Sequence, residues 1–180
     1  GSISLSLSTT LSGLSTPTSL AIGDFNGDGL DDLIIGAYSA DPNGASSGTA
    51  YVIFGKSSAF ESSINLANLS ISEGFIINGL ATGDALGKSV SSAGDINNDG
   101  FDDVVIGAPR TTSTCGSCYM GRSYIIYGGN NLTNIDLGSL TLTQGIYLDN
   151  GGWSVSYSGD INKDGYDDIL VSAPGKNSNS

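Results

Sequence analysis

Three copies of one acidic nine-residue motif limit what this chain can fold into more than any other feature. The copies occupy residues 24–32 (DFNGDGLDD), 95–103 (DINNDGFDD) and 160–168 (DINKDGYDD). Each copy has oxygen-bearing side chains at positions 1, 3, 5 and 9 and a glycine at position 6. Repetition at intervals of 65 to 71 residues is typical of stacked supersecondary units that bury their apolar faces against one another.

The residues around each motif predict short strands and very little helix. A β-branched run that ends in small residues follows every motif, at 33–37, 104–109 and 169–174. Two further apolar segments, 49–55 and 123–128, match each other and end in glycine, which is typical of strands. No segment of ten or more residues keeps a 3.6-residue apolar period. One unit therefore contains about four short antiparallel strands, the size of a propeller blade.

We predict an all-β fold of about two and a half propeller-type blades, in a single repeat domain over residues 1–180. The expected parts are an N-terminal strand segment (1–17), blade one (18–79), blade two (80–150) and a partial blade three (151–180). The third unit contains only its first two strands, so we expect an incomplete propeller. Residues 3–8 alternate apolar and polar side chains, which predicts an edge or donor strand of a preceding unit.

The turns that flank the motifs resemble those of a known repeat family. Residues 107–109 are a complete Gly-Ala-Pro element, and 36–38 and 172–174 are close versions of it. A weaker Phe-Gly element occurs at 86–87 (LG) and 151–152 (GG). Nearly the whole chain is similar to the FG-GAP repeats, the blades of the integrin α-subunit β-propeller. The resemblance implies a multi-bladed, often seven-bladed propeller, which this chain is too short to close.

The motif loops have the ligand chemistry of calcium sites. Ca²⁺ takes six to eight hard oxygen ligands from carboxylates, amides and backbone carbonyls. Alternate positions of a tight loop converge, position 7 adds a carbonyl, and glycine at position 6 permits the sharp turn with a positive φ. The family resemblance assigns the same positions. The predicted ligands of three Ca²⁺ sites are Asp24, Asn26, Asp28, Leu30 and Asp32, then Asp95, Asn97, Asp99, Phe101 and Asp103, then Asp160, Asn162, Asp164, Tyr166 and Asp168.

Two other interpretations fit the loops less well. An EF-hand needs a bidentate glutamate at position 12, where this chain has isoleucine or valine inside a predicted strand. An Asx-rich hairpin that binds no metal leaves four aspartates within nine residues to repel one another. The position-8 aspartates Asp31, Asp102 and Asp167 are expected to face outward and are left out of the predicted ligand set.

The remaining composition excludes several functional classes. The chain has no histidine, which removes the usual general base and zinc ligand, so we do not expect an enzyme. Six Lys and Arg residues stand against 18 Asp and Glu residues, so no nucleic-acid partner is expected. No apolar run approaches the ~20 residues of a spanning helix, so no membrane insertion is expected.

Two pairs of residues predict an extracellular protein, either secreted or on the cell surface. A disulfide between Cys115 and Cys118 that pins a surface loop fits an oxidising compartment, with free thiols or redox chemistry as the alternatives. Asn68 and Asn131 begin sequons and are candidate N-glycosylation sites in the same compartment.

The leading functional hypothesis is a non-enzymatic, calcium-binding extracellular module with an adhesion or structural role. The unfinished blade is expected to associate head-to-tail with another copy, giving an extracellular fibre or a larger propeller. Another extracellular protein or a glycan is the alternative partner. The alternative functions are a lectin-like carbohydrate-binding module and an accessory domain of a secreted enzyme. Trp153 is expected in the core within or between blades, with a sugar-stacking surface as the alternative.

Overall fold

The computed structural model describes residues 10–14, 16–109 and 121–173. In chain order its strands are β1 (Thr10–Ser12), β2 (Ser19–Gly23), β3 (Asp32–Ala37), β4 (Thr49–Ile53), β5 (Ser63–Asn65), β6 (Gly74–Asn78), β7 (Ser89–Gly94), β8 (Asp103–Ala108), β9 (Arg122–Ile126), β10 (Ile135–Asp136), β11 (Gly145–Asp149), β12 (Ser154–Gly159) and β13 (Asp168–Ser172). Within these ranges the only helical segments are the 3-10 turns Leu66–Asn68 and Leu137–Ser139. The prediction of an all-β chain is confirmed.

The strands form two four-stranded antiparallel blades and a two-stranded half-blade. The first blade has the order β6-β4-β3-β2 and the second has the order β11-β9-β8-β7. The half-blade consists of β12 and β13, which pair antiparallel. The central strands β3, β4, β8 and β9 are almost fully buried, which explains their continuous apolar sequence without alternation.

Short parallel pairings connect one repeat to the next. Strand β10 of the second repeat pairs in parallel with β6 of the first, with Ile135 opposite Ile77. Strand β1 pairs with β5 in the same way, with Leu11 opposite Ile64. Because Ile64 and Ile135 are equivalent positions, β1 occupies the place of the outer strand of a preceding blade. The predicted strand at residues 3–8 lies outside the described residues.

The apolar core lies between blades. The largest cluster joins Ile34 and Phe75 of the first blade to Ile106 and Tyr124 of the second. A smaller cluster joins Val105 and other residues of the second blade to the half-blade. A third packs the opposite face of the first blade against Leu66 and the partly buried Leu11 and Leu14. Each sheet is therefore buried on both faces where a neighbour is present, and successive blades form one stack.

Two glycine contacts recur where one blade meets the next. A Cβ added to Gly36 would lie 2.0 Å from the Gly87 carbonyl oxygen, and one added to Gly107 would lie 2.2 Å from the Gly152 carbonyl oxygen. The Gly-Ala-Pro-like turn of one blade thus contacts the Phe-Gly-like turn of the next. No helix in the described ranges is long and apolar enough to cross a bilayer.

Candidate metal-binding loops

Each acidic motif forms the turn between the first two strands of its blade. Residues 24–31 join β2 to β3, 95–102 join β7 to β8, and 160–167 join β12 to β13. The ninth motif residue is the first residue of the second strand in every copy. Because the blades stack, the three loops lie at the same edge of successive sheets.

Backbone N–H groups orient the loop side chains in the same way in all three copies. In the first loop the Asp24 carboxylate accepts hydrogen bonds from the N–H groups of Asp28 (3.1 Å) and Gly29 (2.9 Å). The Asp28 carboxylate accepts one from the N–H of Leu30 (2.8 Å). The equivalent hydrogen bonds in the second loop are donated by the N–H groups of Asp99, Gly100 and Phe101. Those in the third loop are donated by the N–H groups of Asp164, Gly165 and Tyr166. Positions 1 and 5 therefore accept the same local hydrogen bonds in all three loops.

Two positions in each loop have left-handed backbone conformation. Position 6 is glycine with φ of +83° at Gly29 and +91° at both Gly100 and Gly165, as the sequence predicts. Position 4 is also left-handed, with φ of +59° at Asn98 and +61° at Lys163, and the sequence analysis missed it. Gly27, with φ of +73°, and Asn98 occupy this position in the first two copies and were the available signal, since glycine and asparagine both tolerate positive φ.

The position-9 aspartates of the two complete blades are buried and receive backbone hydrogen bonds on both oxygens, whereas Asp168 of the half-blade is partly exposed and accepts one from the Ile161 N–H. Asp32 accepts from the N–H of Phe25 (3.0 Å) and of Gly55 (2.7 Å), and Asp103 has the same arrangement. Burial raises the pKa of Asp32 to about 6 and the pKa of Asp103 to about 7, against the opposing effect of those hydrogen bonds. A cation at the loop would favour the charged form of both carboxylates.

The expectation that all position-8 aspartates face outward is wrong for Asp102 and Asp167. The Asp102 carboxylate accepts a hydrogen bond from the Asp24 N–H (3.1 Å), and Asp167 accepts one from the Asp95 N–H (2.9 Å). Both side chains are half-buried against the preceding loop. Blade stacking causes the difference, because it brings each loop against the loop of the blade before. The sequence did contain a signal for this contact, because every copy has an aspartate at position 8 although that position has no role in the predicted ligand set.

The donor set of each loop fits a hard divalent cation. In the described ranges no three His, Cys, Asp or Glu side chains are gathered closely enough to form a closed metal site. The carbonyls of Leu30, Phe101 and Tyr166, however, accept no hydrogen bond from any described residue. Each carboxylate oxygen that accepts one N–H also keeps a second lone pair. Three carboxylates, an amide oxygen and a carbonyl per loop match the ligand preferences of Ca²⁺.

The other predicted sites have mixed outcomes. Cys115 and Cys118 lie outside the described residues. Asn68 is exposed in a 3-10 turn and Asn131 is exposed in the turn before β10, so both side chains are accessible. Trp153 is 45% exposed, so its predicted core position is wrong.

The chain shares its repeats with a described family. Three regions, 16–53, 87–126 and 151–180, match the model of the FG-GAP repeat, and together they cover more than half of the chain. Every acidic loop lies within one of these regions.

Known proteins from animals and an amoeba are similar to nearly the whole chain. Integrin alpha-8 of Mus musculus is 30% identical over 171 residues, covering 87% of this chain and 14% of that protein. Integrin alpha-6 of Gallus gallus is 28% identical over 153 residues, covering 84% and 13%. Phosphatidylinositol-glycan-specific phospholipase D of Dictyostelium discoideum is 34% identical over 166 residues, covering 84% and 17%. The chain spans less than a fifth of the length of these relatives, and it belongs to the FG-GAP repeat family.

Proposed function

We propose that this chain is a non-catalytic extracellular module in which each acidic loop binds one Ca²⁺. The proposed ligands are the side chains at positions 1, 3, 5 and 9 and the carbonyl at position 7. The observation that carries the proposal is the identical hydrogen-bond arrangement of the three loops, which holds two carboxylates in place and leaves the position-7 carbonyl free. Bound Ca²⁺ supplies charge neutralisation and cross-links the loop, and it takes part in no reaction.

The charge of the chain explains why calcium would stabilise the fold. The net charge is −12, and four aspartates fall within each nine-residue loop. Extracellular calcium sites often have a Kd near ~0.1 mM, so ~1 mM Ca²⁺ would add about 1.4 kcal/mol per site. Three independent sites would add about 4 kcal/mol to a domain whose net stability is about 5–15 kcal/mol.

Calorimetry and thermal denaturation test this proposal directly. Titration of the EGTA-treated chain with Ca²⁺ is expected to give three equivalents, and saturation is expected to raise the Tm by about 10 °C. A variant with Asp28, Asp99 and Asp164 all changed to Ala is expected to keep the fold, because these side chains are exposed, and it is the control that lacks the response. An unchanged Tm on chelation, with no calcium uptake by the unmodified chain, would exclude the calcium loops.

An adhesive or structural role and an extracellular location are supported by the family and by the two integrin relatives. The relative named as a phospholipase D supports the alternative of an accessory domain beside a catalytic one. The complete lack of histidine supports a non-catalytic role for this segment. Cell attachment to surfaces coated with the chain, in Ca²⁺ and in EGTA, tests adhesion. Equal attachment to the coated surface and to bare albumin contradicts it.

We also propose head-to-tail self-association. In the described ranges β13 pairs with β12 and with no other strand, and Leu170 on β13 is 67% exposed. At the opposite end Leu20, equivalent to the buried Val90 and Val155, is also exposed. Light scattering coupled to size-exclusion chromatography is expected to show concentration-dependent oligomers. A monomer at all concentrations contradicts this proposal and leaves the calcium proposal intact.

A carbohydrate-binding role is the second candidate function. The observation that favours it is the exposure of Trp153, since an accessible indole is a suitable surface for stacking a sugar ring. A glycan array probed with the unmodified chain and with Trp153→Ala is expected to show binding that the substitution removes. An array without Trp153-dependent signal rules this function out.

A further inference from the structure

Neighbouring loops are held together by a two-point clamp on the first residue of the earlier loop. Asp24 donates its N–H to the Asp102 carboxylate at 3.1 Å. Its carbonyl accepts the N–H of the same Asp102 at 3.3 Å. One residue of the second loop thus satisfies both backbone groups of a residue in the first loop, 78 positions earlier.

The same clamp recurs one blade later, which argues for a built feature. Asp95 donates its N–H to the Asp167 carboxylate at 2.9 Å, and its carbonyl accepts the Asp167 N–H at 3.3 Å. The Tyr157 hydroxyl donates a second hydrogen bond to the Asp167 carboxylate, at 3.0 Å, which fixes that side chain further. The clamp therefore links loop one to loop two and loop two to loop three.

The clamp joins residues that belong to different proposed metal sites. Asp102 lies between Phe101 and Asp103, which are the position-7 and position-9 ligands of site two. Asp24 is the position-1 ligand of site one. Any change in the backbone at 101–103 on metal binding therefore reaches a ligand of site one through two hydrogen bonds.

Two further contacts connect loop one to the second repeat. Gly129 of the second repeat donates its N–H to the Phe25 carbonyl at 3.0 Å. The Phe101 ring packs so closely on Gly27 that a Cβ there would lie 2.4 Å from a ring carbon. Position 4 of loop one is therefore restricted to glycine by a residue of loop two, while the same position of loop two is Asn98.

We propose that Asp102 and Asp167 are positioning residues that couple neighbouring calcium loops, so that Ca²⁺ bound at one loop raises the affinity of the loop before it. The inference rests on the proposed calcium sites. Ca²⁺ at site two orders residues 101–103, and the ordered clamp presents Asp24 in its binding conformation, so site one loses less conformational entropy on binding. By linkage, Ca²⁺ at site one favours site two to the same extent.

The test follows each site separately in the full chain. Amide signals of Asp28 and Gly29, and of Asp99 and Gly100, report sites one and two in an NMR titration with Ca²⁺. Asp99→Ala removes a ligand of site two and is expected to weaken site one about 5-fold. Asp102→Ala is expected to weaken site one by a similar factor, and in its presence Asp99→Ala should have no further effect on site one.

Two variants separate coupling from simple support of the fold. Asp102→Asn keeps an oxygen that accepts the Asp24 N–H, so site-one affinity is expected to stay within about twofold of the unmodified chain. Asp31→Ala changes the same motif position in loop one, where no hydrogen bond of that carboxylate to a described residue is found, and it is the matched control. If Asp102→Ala does not fold, Asp167→Ala gives the same measurement for sites two and three.

The outcomes distinguish the two proposals. The coupling is overturned if the site-one affinity of Asp102→Ala stays within twofold of that of the unmodified chain. It is also overturned if Asp99→Ala weakens site one as much in the Asp102→Ala background as in the unmodified chain. A lower Tm of Asp102→Ala in EGTA, together with unchanged Ca²⁺-binding isotherms, also overturns the coupling, because this result indicates that Asp102 only supports the fold. If no loop of the unmodified chain binds calcium, the calcium proposal itself is contradicted.

Discussion

At the scale of single residues, the position-9 and position-5 aspartates of one loop have different roles in the fold. Asp32 and Asp103 are fully buried and accept two backbone hydrogen bonds each. Asp28, by contrast, is exposed and bonds only within its own loop. Buried donors that lose their acceptor are costly, so the two positions differ in what their removal does to the fold.

Asp32→Ala is expected to lower the free energy of unfolding in EGTA by about 2–4 kcal/mol, because the N–H groups of Phe25 and Gly55 lose their acceptor. Asp28→Ala is expected to abolish calcium uptake at site one while changing stability in EGTA far less. Urea denaturation in EGTA, followed by calcium titration, measures both quantities. Equal destabilisation by the two substitutions contradicts the separation of roles.

At the scale of elements, the two glycine turns that characterise the repeat are two halves of one contact. The Gly-Ala-Pro-like turn at the end of the second strand meets the Phe-Gly-like turn before the first strand of the next blade. No Cβ fits on Gly36 or Gly107, because a carbonyl oxygen of the next blade fills the space. Gly36 and Gly107 are therefore required by blade-to-blade packing, while Gly87 and Gly152 also have left-handed backbone, with φ of +82° and +95°.

Gly107→Ala is expected to destabilise the chain by about 1–3 kcal/mol, because the added methyl would lie 2.2 Å from the Gly152 carbonyl oxygen and the blades must separate. Gly138→Ala is the control, since its Cβ would meet side-chain atoms and no backbone, with the Asp136 Oδ1 at 3.2 Å and the Leu80 Cδ2 at 3.5 Å. Chemical denaturation of both variants in the same buffer measures the difference. Equal stability of the two would show that the blade boundary can adjust without cost.

The outer strand of the first blade contributes to the core between the two complete blades. Phe75 on β6 is buried and lies against Phe54, with ring centroids 6.0 Å apart. Phe75→Ala is expected to cost about 3–5 kcal/mol, as for other buried aromatic side chains. Leu142→Ala, at a residue that is 83% exposed, is the control and is expected to change stability by less than about 0.5 kcal/mol. Thermal denaturation checks both, and a small effect at Phe75 contradicts the assignment of this core.

At the scale of the whole molecule, the described residues form a stack in which each blade packs on the next. The half-blade depends on the second blade through Val155, which packs against Ala93, Val105 and Ile125. Its opposite face carries the exposed Leu170. Stability in such an array is the sum of blade and boundary contributions, so one boundary can weaken without the others.

Val155→Asp is expected to release β12 and β13 from the second blade, because it places an unpaired charge in an apolar boundary. Amide exchange of these strands should accelerate about tenfold or more, while β3 and β4 stay protected. Leu170→Asp on the exposed face is the matched control and should leave exchange unchanged at concentrations where the chain is monomeric. Loss of protection throughout the chain would show that the blades do not behave as separable units.

The local pattern was sufficient to predict the repeat, the strand segments and the loops. The β-branched runs indicate strands, and the glycine at position 6 indicates the turn, because the conformations concerned depend on neighbouring residues alone. The oxygen-bearing positions of each loop are likewise separated by only two to four residues. The all-β fold with four-stranded blades was predictable for the same reason.

Only the tertiary structure decided the contacts between blades, because these join residues that are distant in the sequence, 45 positions apart for Gly107 and Gly152 and 78 for Asp24 and Asp102. Asp102 and Asp167 are ordinary exposed loop aspartates in the sequence, and stacking turns them into clamps on Asp24 and Asp95. Leu170 has the same strand position as the buried Ile34, yet it is exposed, since burial depends on a neighbouring blade and not on residue type. The sequence by itself determined the acidic loops and their donors, while the stacking of the blades decided how one loop is connected to the next.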